Sequence, residues 1–340
     1  MLRNTLLLSV ISSSLLFTAC GGGDDGLSGL GLTLATQYNG IDSIDNYTRY
    51  SLNEFGKRDL AINYTERGLD AEWYTDDDKA LTYRTYQYDA QQRLTQINYY
   101  SPGLDLELFT DDDEMYRYRK TIFADDGLSS QTILYGTSGL DRIWENSDDT
   151  ILSYTNTEYD TNGNQLSIAA YYSGPDADWF TNDDEMSYIY ESRNYDQHNN
   201  LTRITIRYGE GLDNTPFTND DIGHYYQLSY NENNVLMKMI EYGSAGGDGL
   251  WHTSDDVRSG FERSYINLDE NGNPSRVVKG IKFDNQDWDL ATHEIHDYSD
   301  VEYHPSGFIL KRSSYDWPGI DNIWFTPDDS LAQVLEYTLY

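Results

Sequence analysis

The chain has 340 residues and a formal net charge of −35, with 58 Asp and Glu against 23 Lys and Arg. This charge excludes nucleic acid as a partner, because phosphate binding requires clustered Lys and Arg, and it leaves cations as the partners to consider. Only 38% of the residues are hydrophobic, but 31 Tyr and 7 Trp supply apolar surface, so the composition is not that of a disordered protein.

The N-terminus, MLRNTLLLSVISSSLLFTAC, has an early arginine, an apolar run and small residues before Cys20. This pattern is typical of a secretion signal and is too short for a spanning helix. LFTAC resembles the lipobox of bacterial lipoproteins, although Phe17 stands where Leu is usual. The resemblance implies a signal peptide at 1–19, a lipid-anchored Cys20 and, because Gly21 follows it, the outer membrane of a Gram-negative bacterium. Cleavage by ordinary signal peptidase, with Cys20 unmodified, is the alternative.

Residues 20–37 hold this cysteine and the Gly-rich stretch GGGDDGLSGLG. Such a stretch has neither hydrophobic periodicity nor turn spacing, and it predicts a flexible tether. The remaining chain, 38–340, is predicted to be one repeat domain.

The domain is organised around an eleven-residue acidic motif, GPDADWFTNDD at 174–184. Seven copies begin at 68, 103, 139, 174, 211, 246 and 319, and they contain 27 of the 58 acidic residues. The copies are 35–37 residues apart except for a last gap of 73, where FDNQDWDLATH at 283–293 is a decayed eighth copy. A fixed period of this length indicates stacked supersecondary units.

A second element recurs between the acidic motifs, as YDAQQRLTQINYY (88–100), YDTNGNQLSIAAYY (159–172) and YDQHNNLTRITIRY (195–208). Tyr-Asp, a polar turn and a following aliphatic residue recur together. These segments resemble the YD (RHS-type) repeat of bacterial surface and toxin proteins, a resemblance that implies β-hairpins coiled into a sheet. The acidic motif is not part of the usual YD pattern, so the functions of that family transfer poorly.

The residues themselves also predict strands. The polar four after each Tyr-Asp are hairpin turns, and segments of about nine residues rich in Tyr, Thr and Ile flank them. We therefore expect an all-β fold of about eight tandem hairpins in an elongated, coiled antiparallel sheet. The tight turns would lie on one edge and the acidic loops on the other. A β-propeller and a closed barrel are the alternatives.

Counting back five residues from each Tyr-Asp position gives a tyrosine in every repeat but one, where Arg263 stands. Equivalent positions on successive hairpins would place these tyrosines in a row along one sheet face. Packing is the expected role of the row, and carbohydrate stacking is the alternative. Its members are Tyr83, Tyr118, Tyr154, Tyr190, Tyr225 and Tyr298.

The acidic motif has the general form G-x-D-x-x-W-[FY]-T-x-D-D. Ca²⁺ takes six to eight oxygens, and a loop with three aspartates supplies several of them. Carboxylate rows about 10 Å apart would repel one another without a counter-ion, so Ca²⁺ is the predicted cofactor. The predicted ligands are the first aspartates, Asp70, Asp105, Asp141, Asp176, Asp213, Asp248 and Asp321. The closing pairs complete the set: Asp77 and Asp78, Asp112 and Asp113, Asp148 and Asp149, Asp183 and Asp184, Asp220 and Asp221, Asp255 and Asp256, Asp328 and Asp329.

A purely structural role is the alternative for these aspartates, because Asp caps backbone amides in turns while the aromatic residue packs beneath. The spacing matches neither the EF-hand loop nor the RTX nonapeptide. The copy at 283–293 has Thr292 and His293 in place of the closing pair and is predicted not to bind metal.

Motifs of catalysis are absent from the sequence, including G-x-S-x-G, H-E-x-x-H and phosphate-binding glycine loops. A repeated carboxylate cluster favours binding over catalysis, so we expect no enzyme. The predicted function is that of a lipid-anchored cell-envelope protein with calcium-binding loops, used for adhesion or scaffolding toward an unknown protein or glycan ligand. A carbohydrate-binding or glycan-modifying surface protein that uses the tyrosine row is the alternative.

Overall fold

The computed structural model describes residues 32–339 except 40–42, 188, 210–212, 214, 216–217, 282–293 and 305–308. The predicted signal peptide, Cys20 and the decayed motif at 283–293 lie outside the described residues. Within the described ranges, no helix has both the length and the apolar character needed to cross a membrane.

Strands make up almost all regular structure in the described chain. They are β1 Leu32–Asn39, β2 Ser43–Leu52, β3 Arg58–Glu66, β4 Lys79–Tyr88, β5 Leu94–Ser101, β6 Glu114–Phe123, β7 Ser129–Thr137, β8 Thr150–Tyr159, β9 Gln165–Tyr172, β10 Glu185–Met186, β11 Ile189–Tyr195, β12 Leu201–Tyr208, β13 Ile222–Tyr230, β14 Leu236–Ser244, β15 Val257–Leu268, β16 Pro274–Ile281, β17 Glu294–Tyr303, β18 Ile309–Trp317 and β19 Ser330–Leu339. A short 3₁₀ helix, Asn219–Asp221, precedes β13.

The strands form one antiparallel sheet in which neighbours in sequence are neighbours in space. The short β10 and the longer β11 both pair with β9. Strand β1 pairs with β2 on one side and with β19 on the other, so the order of pairing returns to its start. The all-β fold of tandem antiparallel hairpins is thus confirmed. Because all described strands belong to one sheet, the separate blades of a propeller are excluded.

The aspartate of each Tyr-Asp pair shapes the tight turn that follows it. Asp89 accepts hydrogen bonds from the amides of Gln91 and Arg93 through Oδ1, both at 2.9 Å, and its own amide donates to the Arg93 carbonyl at 3.0 Å. Gln92 has a left-handed φ of 62°. The same hydrogen bonds recur at Asp160 and Asp196, and also at Asp269, which follows Leu268. The aspartate of the Tyr-Asp pattern is therefore the residue that shapes the turn.

The two sides of the sheet differ because alternate residues of a strand face opposite sides. One side, here the tyrosine face, carries Tyr83 paired with Tyr100 and Tyr118 paired with Tyr135. The other side, here the opposite face, carries an apolar cluster that includes Ile204, Ile206, Leu228 and Met239. The acidic loops connect strands at the edge away from the tight turns and lie against the tyrosine face.

Two sequence predictions need correction. Strand β1 begins at Leu32, so the sheet starts inside the segment 20–37 that was predicted to be a tether. The exceptional member of the tyrosine row is Glu262 rather than Arg263. A row tyrosine pairs, on the strand before it, with the residue two positions before the partner of the preceding row tyrosine. Tyr225 pairs in this way with a residue of β12. Glu262 pairs in the same way with Ile240, which lies two positions before Tyr242.

The reason for the shift is the hairpin between β15 and β16. Six hairpins contain a bulge beside the turn, for example between Gln87 and Tyr88, whereas Leu268 pairs with Pro274 in unbroken register. Glu262 is 2% exposed and lies within ion-pair distance of Lys238 Nζ (2.8 Å) and Arg258 Nη1 (3.2 Å). The one repeat without a row tyrosine therefore buries a compensated carboxylate in its place.

Candidate functional site

The first aspartate of every acidic loop forms a local turn. Asp321 Oδ1 accepts the amide of Ile323 at 2.8 Å, two residues further along. This contact appears in all seven copies, where Asp70, Asp105, Asp141, Asp176, Asp213 and Asp248 do the same. Each first aspartate is thus an Asx-turn residue.

The first member of each closing pair holds the start of the loop against its end. Asp328 Oδ2 accepts the amides of Ile320 at 2.8 Å and Asp321 at 3.3 Å, and its Oδ1 accepts the Thr326 hydroxyl at 2.7 Å. The aspartates at the same position in the other loops bind the first aspartate's amide in the same way; they are Asp77, Asp112, Asp148, Asp183, Asp220 and Asp255. These contacts close each loop without a cation.

The second member of each closing pair ties the loop to the sheet. Asp329 Oδ2 accepts the Phe325 amide at 2.7 Å and the hydroxyl of the row tyrosine Tyr298 at 2.8 Å. The same tyrosine contact recurs in every intact copy, joining Tyr47 to Asp78, Tyr83 to Asp113, Tyr118 to Asp149, Tyr154 to Asp184, Tyr190 to Asp221 and Tyr225 to Asp256. The partners are always 30 or 31 residues apart.

Aromatic residues of the loops contact six of the row tyrosines. Trp324 meets the Tyr298 ring edge-on at 5.9 Å and Phe325 lies 4.9 Å from it, while Tyr315 of the next strand stacks on it at 4.5 Å. Tyr47, Tyr118 and Tyr225 likewise have a stacked tyrosine and an edge-on tryptophan. The row tyrosines are buried, at 0% to 6% exposure, so they offer no free ring face to a sugar. Packing, the expected role of the row, agrees with this geometry.

The titration of the loop follows from these contacts. The Thr110 hydroxyl is the main cause that lowers the pKa of Asp112, with the amides of Asp105 and Leu104 acting in the same direction against desolvation. The pKa is lowered for the same reasons in Asp77, Asp183, Asp255 and Asp328. Burial, followed by the hydrogen bond to Asp149, raises the pKa of Tyr118 far above its ordinary value.

The opening glycine of the loop has a steric role. A Cβ on Gly139, whose φ is +64°, would lie 2.4 Å from the carbonyl oxygen of Asp148. The turn glycine Gly163 has a φ of +84° and no atom within 4 Å of such a Cβ. The two glycines therefore separate the cost of a left-handed backbone from the cost of a clash.

We expect Gly139→Ala to lower the free energy of unfolding by about 3 kcal/mol, since strain and overpacking add. The matched change Gly163→Ala is expected to cost only about 1 kcal/mol, from the left-handed backbone alone. Urea unfolding of both variants provides the comparison. Equal losses would show that the loop start tolerates a side chain and that Asp148 does not pack against it as described.

Among the acidic loops, the loop at 211–221 brings its three aspartates into the arrangement that best suits a metal ion. Asp213, Asp220 and Asp221 can each place a carboxylate oxygen within 4.8 Å of the others, and they are the one such group of three in the described part of the chain. Asp221 is 2% exposed, and its Oδ1 has no hydrogen-bond partner. The corresponding Oδ1 atoms of Asp78 and Asp149 are also buried without a partner. A buried carboxylate oxygen without a donor is costly unless a cation or water compensates it.

The three recurring aspartates of each loop could be recognised in the sequence, but the tyrosine that the second closing aspartate contacts was not predicted. The signal was present in the constant separation of 30 or 31 residues between row tyrosine and aspartate. It was hidden because the partners lie in different motifs, separated by a whole hairpin. The copy that has lost its closing pair is also the copy whose row position holds Glu262, and this joint loss is what a Tyr–Asp pair predicts.

Comparisons with known proteins give no assignment. No family model matches the chain, and no curated protein matches it. Among solved structures, a porin-like protein from Bacteroides uniformis is 9% identical with a TM-score of 0.36, over 91% of this chain and 98% of that one. A DUF3836 family protein from Bacteroides vulgatus is 10% identical with a TM-score of 0.24, over 32% of this chain and 91% of that one. A Photorhabdus luminescens Tc holotoxin pore is 11% identical with a TM-score of 0.28, and the match spans 15% of its chain. Similarities this low identify neither a family nor a function.

Proposed function

We propose that the protein is a non-enzymatic, lipid-anchored component of a bacterial cell envelope whose acidic loops bind Ca²⁺ and whose repeat sheet serves adhesion or scaffolding. The observation that carries the calcium part is the loop at 211–221. It combines three converging carboxylates with a buried, unpartnered oxygen of Asp221. The lipid anchor rests on the lipobox-like sequence that ends at Cys20.

The chemistry of this loop suits a hard cation. Carboxylate oxygens are the ligands that Ca²⁺ prefers, and the ion completes its shell with carbonyl oxygens and water. The Thr218 hydroxyl, 2.7 Å from Asp220 Oδ1, and the loop amides donate hydrogen bonds to these carboxylates but supply no positive charge. A bound cation would place a positive charge beside Asp221 Oδ1, which has no hydrogen-bond donor.

The adhesion part rests on aliphatic side chains at the loop edge. Leu69 and Leu104 are each 100% exposed, Leu140 is 99% exposed and Ile320 is 87% exposed. All four occupy the second position of an acidic loop, so the repeat presents them along one edge of the sheet. Aliphatic residues exposed at a repeated position offer apolar contacts to a partner at regular intervals along that edge.

Calcium binding predicts a thermal shift. At a calcium concentration about 100 times the dissociation constant, the folded state gains about 2.7 kcal/mol for each site, which corresponds to a rise of about 5 °C or more in the unfolding midpoint. Differential scanning calorimetry with excess Ca²⁺ and with EDTA measures this directly. The variant Asp221→Asn should lose a large part of the difference, because the amide removes the charge that the cation compensates.

The matched control is Asp125→Asn, which removes an exposed carboxylate outside the acidic loops. It should leave the calcium-dependent shift unchanged. Identical midpoints in Ca²⁺ and EDTA for the unmodified protein would contradict the calcium proposal and leave the turn function of the aspartates as the whole explanation.

A further inference from the structure

A pocket of ≈ 530 Å³ lies on the opposite face, at the end of the sheet where the tight turns are. Alternate residues of β6, β7 and β8 form it together with residues of the neighbouring turns. Gly127 and Gly163 of two of those turns belong to its lining. The pocket is therefore far along the strands from the acidic loops and on the other side of the sheet. Its volume is in the usual range for small-molecule sites.

The charge of this pocket is the reverse of the charge of the chain. Lys57, Arg93 and Arg119 line it, and none of the described residues of its lining is Asp or Glu, although the chain contains 58 acidic residues. Arg93 is paired with Asp89 at 2.7 Å. Among the described residues, neither Lys57 nor Arg119 has a carboxylate at ion-pair distance, although Lys57 Nζ lies 5.5 Å from the centre of the Tyr88 ring. A local positive site in a strongly negative protein selects an anion.

The remaining lining is rich in neutral hydrogen-bonding groups. Ser130 and Thr157 are 6% and 7% exposed, and Thr121 and Thr132 contact each other through their hydroxyls at 3.0 Å. The Ser130 hydroxyl lies 3.3 Å from that of Tyr159. These hydroxyls both donate and accept, which matches the hydroxyl groups of a sugar better than it matches a bare inorganic anion.

Two aromatic rings complete the pocket. The Arg93 guanidinium carbon lies over the Phe123 ring, 4.2 Å from the ring centre. The second ring is that of Tyr159 on strand β8. Aromatic side chains pack against the apolar faces of ligands while polar groups around them fix the orientation. Guanidinium groups bind carboxylates through two parallel hydrogen bonds.

From these features we infer that the pocket on the opposite face binds an acidic saccharide, a sugar that carries a carboxylate, with Arg119 and Lys57 receiving the negative charge and the Ser and Thr hydroxyls receiving the sugar hydroxyls. The site goes beyond the calcium function. It uses different residues, on the other side of the sheet, and neither site requires the other.

The test is isothermal titration calorimetry of the full mature chain with digalacturonate, and with the neutral disaccharide galactobiose as the matched ligand. Binding of digalacturonate, with galactobiose at least about tenfold weaker, is the expected result. Arg119→Gln is expected to weaken digalacturonate binding about tenfold or more, because it removes a charge-assisted hydrogen bond. The control Lys79→Gln changes an exposed base at the loop end of β4 and should have no effect on binding.

Three outcomes would overturn the inference: no binding of digalacturonate at millimolar concentration, equal binding of the two disaccharides, or inorganic phosphate competing as tightly as digalacturonate. Circular dichroism and the thermal midpoint of Arg119→Gln establish that the variant is folded. Thr157→Val provides a second variant, because it removes a pocket hydroxyl without changing charge and should also weaken digalacturonate binding. The titrations are run in Ca²⁺ and in EDTA, so a failed calcium proposal and a failed saccharide proposal are distinguished.

Discussion

Asp149→Ala is expected to lower the free energy of unfolding by about 4 kcal/mol, a large part of the stability of an ordinary domain. Asp149 is 8% exposed and accepts the Tyr118 hydroxyl at 2.8 Å and the Glu145 amide at 2.7 Å. Removing the carboxylate leaves the buried Tyr118 hydroxyl and the part-buried Glu145 amide without an acceptor, and an unsatisfied buried group costs about 1–3 kcal/mol. Urea unfolding followed by far-ultraviolet circular dichroism measures the loss.

A double-mutant cycle isolates the contact between loop and sheet. Tyr118→Phe should cost about 2 kcal/mol, and the double variant with Asp149→Ala should cost less than the sum of the two single variants. The expected coupling energy is about 1.5–3 kcal/mol, the range for a hydrogen bond to a charged group. The control Asp125→Ala alters an exposed turn carboxylate and should change stability by less than about 0.5 kcal/mol. A coupling energy near zero would mean that the Tyr–Asp contacts do not hold the loops on the sheet.

The second large effect is cooperative unfolding at alkaline pH. Burial, followed by the hydrogen bond to aspartate, raises the pKa of six row tyrosines in the folded state; they are Tyr47, Tyr83, Tyr118, Tyr154, Tyr225 and Tyr298. In the unfolded chain a tyrosine ionises near pH 10. The stability from these raised pKa values is complete below about pH 10 and is lost above it, because only the unfolded state then releases the protons.

Each of these tyrosines lowers the free energy of unfolding by about 1.4 kcal/mol for every pH unit above pH 10. Six of them together exceed the usual 5–15 kcal/mol of domain stability within about two pH units. We therefore expect phenolate absorbance and the loss of circular dichroism to change together between about pH 10 and 12. Protein unfolded in guanidinium provides the control and should titrate smoothly near pH 10. Ionisation of all 31 tyrosines with the dichroism unchanged would contradict the buried Tyr–Asp row.

The hairpin repeat could be predicted from the sequence because its signals are local. A Tyr-Asp followed by a polar turn is recognisable within a few residues, since Asp89 binds the amides of Gln91 and Arg93 in its own turn. The period of 35–37 residues then fixed the number of hairpins and the edge on which each connection lies. The acidic aspartates were found for the same reason, because three of them recur at fixed positions in one short motif.

Register was predicted less well because it depends on bulges. The hairpin of β15 and β16 lacks the shift seen beside Tyr88, and this moves the row position from Arg263 to Glu262. One residue decides which side chain faces the loop, since successive strand residues point to opposite sides. The printed sequence contains no sign of the missing bulge that could be recognised without the strand pairing.

The chain by itself thus determined an all-β repeat, the position of each turn and the concentration of negative charge in seven loops, because these depend on residues close together in sequence. The tertiary structure alone decided that the loop carboxylates are held by tyrosines a full hairpin away, that β1 pairs with β19, and that three basic residues line one pocket on the opposite face. Those contacts join residues separated by about 30 to 300 positions. Only the pairing of the strands brings such residues within hydrogen-bonding distance.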